Sequence, residues 1–161
     1  MLTYLLSAQA ELTNVTNVGP VDSIGYPFDF KFSIQCNCGK FHDKPVEINR
    51  FDKFMVTGFR REANFKFKCK ECNRERYVTL DKIKPGVITT SNEWCSILRI
   101  STLGLRILEF HPDDQFQCQS SLYDRIIQEI DLSEGEWSGY DDKGEGPIAI
   151  KNVEWKVELT K

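Results

Sequence analysis

Phe28-Asp29-Phe30-Lys31-Phe32-Ser33-Ile34-Gln35-Cys36-Asn37-Cys38-Gly39 is the most legible stretch of this 161-residue chain. Apolar side chains occupy every second position, Phe28, Phe30, Phe32 and Ile34, with polar ones between them. That period belongs to a strand with one buried face; a helix would space its apolar residues by three and four. The run ends at two cysteines and a glycine, so this strand leads into a turn that carries thiols.

The same pattern recurs outward from this point. Phe65-Lys66-Phe67-Lys68 alternates into a second close pair, Cys69-Lys70-Glu71-Cys72-Asn73. Ile97, Arg99, Ser101 and their neighbours through Phe110 form a further extended run, and Val153-Glu154-Trp155-Lys156-Val157-Glu158-Leu159 a clean alternating one. The apolar N-terminus from Met1 to Ala8 reads as a first strand. Gly19-Pro20, Pro85-Gly86 and Gly144 to Pro147 mark turns. Ser121 to Ile130 fits a strand by its alternation and a short helix by the spacing of Leu122, Ile126, Ile127 and Ile130; its neighbours favour the strand. The expected fold is all-β, built from hairpins.

A faint internal repeat accompanies the alternation. Glu11 to Pro20 resembles Ser101 to Pro112: a strand, a polar or glycine position, another apolar stretch, then proline. Arg74 to Asp81 and Glu134 to Asp141 share a charged turn leading to an aromatic residue and an aspartate. This reading gives one compact unit over 1–161, divisible near Ser91 into two small sheet-like or barrel-like halves, 1–90 and 91–161. Only the first half carries the cysteine pairs.

Thirty residues separate Cys36 and Cys38 from Cys69 and Cys72. No leader peptide is expected at the N-terminus, and no apolar run approaches the roughly 20 residues that span a bilayer. An intracellular, cytoplasmic setting is the expectation; thiols there stay reduced, and close pairs read as metal ligands. Two thiolate-bearing turns can converge on one zinc ion, with Gly39 and Asn73 tolerating the positive φ that such turns need. The second pair is C-x-x-C, but the first is C-x-C, which requires a bend at Asn37. His42 is an alternative to Cys36 as the fourth ligand. Four protein ligands leave no position for water or substrate, so one structural zinc is expected and no enzymatic activity.

Other residues offer less chemistry. Cys95 and Cys118 stand alone and read as core, His111 as a strand-to-turn residue, and Asp141-Asp142 as a solvated loop that could at most hold a hard cation. Trp137 and Tyr140 read as core anchors. No nucleophile elbow, P-loop or dinucleotide fingerprint is present. Arg50 to Arg76 carries nine Lys/Arg against four Asp/Glu, while Asp131 to Glu145 carries six acids and one lysine. Solvated faces or attraction between halves account for this most simply. Phe51, Phe54, Phe59, Phe65 and Phe67 interleave with the basic residues, a pattern that also suits base stacking, so nucleic acid is the lesser partner reading and another protein the main one. The expected role is a binding or adaptor function. Its rivals are a metal-handling or small-molecule-binding protein with exchangeable zinc or a cavity, and a hydrolase or redox enzyme using Cys95, Cys118 or the metal.

The opening Tyr4 to Asn17, the Cys38-Gly39 and Cys69-Lys70-Glu71-Cys72 elements, and the closing Gly135-Glu136-Trp137-Ser138-Gly139-Tyr140-Asp141-Asp142-Lys143 together resemble the eukaryotic CXXC-motif-containing zinc-binding proteins, a family of unknown function. The resemblance spans essentially the whole chain. It implies two pseudo-symmetric β halves, one zinc in the first, and no established activity. The family's ligands come from two C-x-x-C pairs: the second carries over to Cys69 and Cys72, and Cys38 matches the second cysteine of the first. This chain is one residue shorter there, which leaves Cys36 in C-x-C spacing.

Overall fold

The computed structural model describes residues 1–160, and every regular element among them is a strand. A long first strand, β1 (Leu2–Thr13), turns at Asn14 into β2 (Val15–Pro20). Then come β3 (Phe30–Cys36), β4 (Val46–Ile48), a small hairpin of β5 (Phe54–Met55) and β6 (Glu62–Ala63), and the pair β7 (Phe65–Lys68) and β8 (Glu75–Lys82). The second half repeats the plan. β9 (Cys95–Leu103) turns at Gly104 into β10 (Leu105–His111), followed by β11 (Gln115–Ser120), β12 (Ile126–Asp131), β13 (Trp137–Asp141) and β14 (Gly146–Leu159).

The pairing is pseudo-symmetric. The six-stranded sheet runs β13-β14-β1-β9-β8-β7, so β1 and β9 lie antiparallel at its centre and each half's last pair flanks them. Two three-stranded sheets exchange strands between the halves: β10-β3-β4 and β12-β11-β2. A cut near Ser91 would therefore separate strands that hydrogen-bond to each other. The extended run from Ile97 to Phe110 is two strands in two sheets. Gly104 with φ 79° breaks it, as Asn14 with φ 56° breaks the corresponding first strand; both residue types tolerate this left-handed conformation. The resemblance of Glu11–Pro20 to Ser101–Pro112 reflects this shared strand–pivot–strand unit. Arg74–Asp81 and Glu134–Asp141 do not correspond. The first is β8, whose counterpart is β14; the second is β13, whose counterpart is β7.

Alternation fills the core as the sequence reading expects. Phe28, Phe30, Phe32 and Ile34 are all buried, and Phe116 meets Phe28 edge-on at 5.2 Å between ring centroids. Trp155, from β14, packs on Phe110 at 4.9 Å. Burying one such aromatic side chain contributes roughly 2–3 kcal/mol, which makes this cluster the main source of cohesion. The ambiguous stretch after Ser121 is a turn and then β12. Phe116 faces Ile130 while Cys118 faces Ile127, so one extra residue is accommodated around Glu129, which has φ 60°. The bulge explains why strand residues show helix-like spacing.

Candidate metal centre

β3 delivers Cys36 to the end of its pairing with β10, opposite Leu105. The chain bends there, as C-x-C spacing requires. Gly39 adopts φ 99° and donates its N–H to the Cys36 carbonyl at 2.9 Å; the Asn37 N–H bonds to the Gly104 carbonyl at 3.0 Å. The second pair lies on the β7–β8 turn. Cys69 donates to the Arg74 carbonyl at 3.0 Å, and Asn73, at φ 63°, donates to the Cys69 carbonyl at 2.8 Å.

The two turns bring all four sulfurs within 4.8 Å of one another. Cys36 Sγ lies 3.7 Å from Cys72 Sγ, and Cys38 Sγ 3.7 Å from Cys69 Sγ. A regular tetrahedron with Zn–S near ~2.3 Å has S···S edges of about 3.8 Å, so the donor set fits zinc in both number and size. His42 is not in this cluster. Its Nδ1 lies 2.7 Å from the Lys44 carbonyl oxygen, and its ring stands edge-on to Phe67.

The electrostatics call for a cation. Burial opposes ionisation of Cys36, but the Cys38 N–H and then the Arg76 guanidinium overcome it and bring its pKa to about 6. Cys38 accepts a favourable N–H from Lys40, yet burial and the three neighbouring sulfurs push it up to about 11. Four thiolates cannot share this space without a positive charge among them. Cys36 and Cys69 are buried, Cys72 half-buried and Cys38 exposed.

Arg76 is a functional residue that the sequence reading missed. Its Nε donates to Cys36 Sγ at 3.2 Å and its Nη2 approaches Cys72 Sγ at 3.6 Å. The side chain lies over Gly104, where a Cβ would come within 2.3 Å of the guanidinium. Groups that hydrogen-bond a metal's ligands typically change affinity 10–100-fold. Arg76→Leu should therefore weaken zinc binding by at least about tenfold in chelator competition; unchanged affinity would remove Arg76 from the site.

Pseudo-symmetry supplies a counterpart that lacks the cysteines. Ser120 pairs with Val15 as Cys36 pairs with Leu105, and the Ser121 N–H bonds to the Asn14 carbonyl as the Asn37 N–H does to Gly104. Counting from the pivots, Tyr77 opposite Leu103 corresponds to Ala149 opposite Thr13, which aligns Cys69 with Asp141 and Cys72 with Gly144. The four cysteine positions thus become Ser120, Leu122, Asp141 and Gly144. Asp141 is fully buried. It accepts bonds from the Ser120 hydroxyl and, at 3.1 Å each, from the Lys143 and Gly144 N–H groups, and Arg125 Nε lies 3.3 Å away. A carboxylate ties the second pair of turns where four thiols tie the first. Asp141 is therefore not part of a solvated loop, as its sequence context suggested.

The chain matches the family described as "CXXC motif containing zinc binding protein, eukaryotic" over residues 5–158. It belongs to this family of eukaryotic CXXC zinc-binding proteins. A UPF0587 protein of Schizosaccharomyces pombe is 30% identical over 96% of both chains, and the human CXXC motif containing zinc binding protein is 30% identical over 92% of both. The crystal structure of C1orf123 superposes with a TM-score of 0.86 at 25% identity, covering 98% of this chain and 99% of that one. A hypothetical protein from Plasmodium falciparum shares the fold, with a TM-score of 0.85 at 20% identity over 98% of this chain and all of that one. In this CXXC protein the C-x-C spacing of the first pair still brings Cys36 to the cluster, because the turn at Asn37–Gly39 curls back on itself.

The remaining sequence candidates sit apart from the cluster. Cys95 and Cys118 are buried, and burial pushes the Cys118 thiol up to about 11, away from reactivity. His111 is the last residue of β10, at the strand's exit as its sequence context indicates, half-buried with Nε2 2.8 Å from Ser33 Oγ. Trp137 packs against the core, whereas Tyr140 is exposed. Phe65 and Phe67 are half-buried against the core, but Phe54 and Phe59 face solvent. Among the described residues no helix is long and apolar enough to cross a membrane.

Proposed function

We propose that this protein holds one zinc ion through Cys36, Cys38, Cys69 and Cys72, that the ion is structural, and that the folded unit serves in binding other proteins rather than in catalysis. The observation that carries the metal reading is the near-tetrahedral set of four sulfurs on two turns from distant parts of the chain. With four thiolates on zinc, no coordination position is left to activate water, and the ion's work is to fasten the β3 and β7–β8 turns. The binding role draws on the exposed aromatic and basic residues that surround this site, Phe41 with Lys40, Lys44, Lys68 and Lys70.

Elemental analysis should find about one zinc per chain, retained through mild chelation. A folded protein without zinc would refute the structural role. The exposure of Cys38 favours a second reading, in which that corner exchanges. Cys38→Ser should then speed zinc loss to a chelator far more than it lowers the melting temperature. If zinc loss and melting shift together, exchange is not a separate property.

A further inference from the structure

We infer that the cleft beside the cysteine cluster is a docking site for an extended acidic segment of a partner protein, with one large apolar side chain entering the cleft. The inference rests on the binding role proposed above and names its partner's chemistry.

The cleft encloses about 270 Å³ between the loop after Cys38 and the strand β7. Phe41 and Phe67 supply apolar walls, and Cys36 and Cys69 lie at its base. This volume suits one large side chain better than a drug-sized molecule. Lys40 and Lys44 stand on one side, Lys68 and Lys70 on the other, against a single acid, Asp43. Phe41 is 59% exposed, which leaves its ring accessible to a partner's apolar side chain. β7 is the outermost strand of the six-stranded sheet, and such edges accept extended segments. A segment lying there would place carboxylates between two pairs of lysines.

Negative charge on a zinc–thiolate cluster does not cancel this field. The cluster is bonded by Arg76, and Arg74 and Arg76 line its other side beside Cys38 and Cys72. The second half acts as an internal control. There β12 runs as a strand where the first half departs into the Phe41–Lys44 loop that walls the cleft. Counted from the pivots, Lys68 corresponds to Tyr140 and Lys70 to Asp142, while the cation Arg125 is engaged by Asp141. The cleft lysines Lys68 and Lys70 thus have an uncharged and an acidic residue as their second-half counterparts.

The test is fluorescence anisotropy on the full, zinc-loaded chain. The probe is a short labelled peptide of alternating glutamates around a central tryptophan. It should bind at least about tenfold more tightly than a lysine-for-glutamate version, and weaken as salt rises from about 0.05 to about 0.5 M. The double variant Lys44→Glu with Lys68→Glu should reduce affinity at least about tenfold, and Phe41→Ala several-fold. Lys44→Glu alone, in the exposed loop away from the cysteines, is the second variant should the double one lose metal. Equal binding by the basic peptide, unchanged binding by Lys44→Glu, or tighter binding of a single-stranded oligothymidylate would overturn the inference, the last pointing to nucleic acid instead. Zinc content is measured on every sample. Full zinc without peptide binding sinks this site alone, whereas a folded, zinc-free chain sinks the structural-zinc reading.

Discussion

Cys69→Ser should unload the zinc and lower the melting temperature by about 10–20 °C. Cys69 is 3% exposed and lies where the β7–β8 turn meets the β3 turn, its sulfur 3.7 Å from that of Cys38. A serine hydroxyl is a poor zinc ligand at neutral pH, and the three remaining thiols would lose the charge that holds them together. A zinc link of several kcal/mol, in a domain of this size where ~1 kcal/mol shifts melting by about 2–4 °C, sets the expected range. Cys36, Cys38, Cys69 and Cys72 are not part of the main aromatic core. The variant should therefore stay folded at low temperature, with hydrogen exchange rising first in the β3 turn and in β7–β8. A melting curve and zinc content like those of the wild type would rule out the structural role.

Asp141→Asn should lower the melting temperature by roughly 5–10 °C at neutral pH, and Asp141→Ala by more, without loss of zinc. The carboxylate is fully buried and collects the Ser120 hydroxyl, two backbone N–H groups and the Arg125 guanidinium. Truncation leaves the Ser120 hydroxyl and the two N–H groups without an acceptor, which is the expensive half of a buried hydrogen bond, and leaves Arg125 without its counter-charge. The pH dependence follows from the same contacts. The Ser120 hydroxyl, then the Gly144 N–H, the Arg125 charge and the Lys143 N–H hold the carboxyl below its ordinary value of 3.8, despite burial. Its contribution is therefore complete above that ordinary value and disappears as pH falls through the lower folded-state value. Melting of wild type and Asp141→Asn from about pH 7 down to about pH 3 should show a gap that closes only at the acid end. Acid also strips zinc, but from both proteins alike, so the difference isolates Asp141. Equal stability at neutral pH would show that this carboxylate ties nothing.

Much of the fold was legible because strand periodicity is local. Phe28, Phe30, Phe32 and Ile34 announce a buried face from their spacing alone, and all four are buried. Ser121 to Ile130 was ambiguous for an equally local reason: a bulge around Glu129 inserts a residue, and the insertion imitates helical spacing. The repeat was visible at Glu11–Pro20 and Ser101–Pro112, where strand, pivot and strand recur. The match of Arg74–Asp81 with Glu134–Asp141 failed because charge and aromatic patterns do not say which strand of a hairpin they occupy.

Local residue patterns carry the all-β character, the two thiol pairs and the glycine and asparagine that let their turns curl. Each depends on residues within a few positions of one another. Tertiary structure alone decided that both pairs meet within 4.8 Å, that Arg76 reaches over Gly104 to the sulfurs, and that Asp141 is buried where its neighbours suggested solvent. Each of these depends on partners far along the chain. A buried charge is stable only when distant donors surround it, and those donors become neighbours only once the strands have exchanged between the halves.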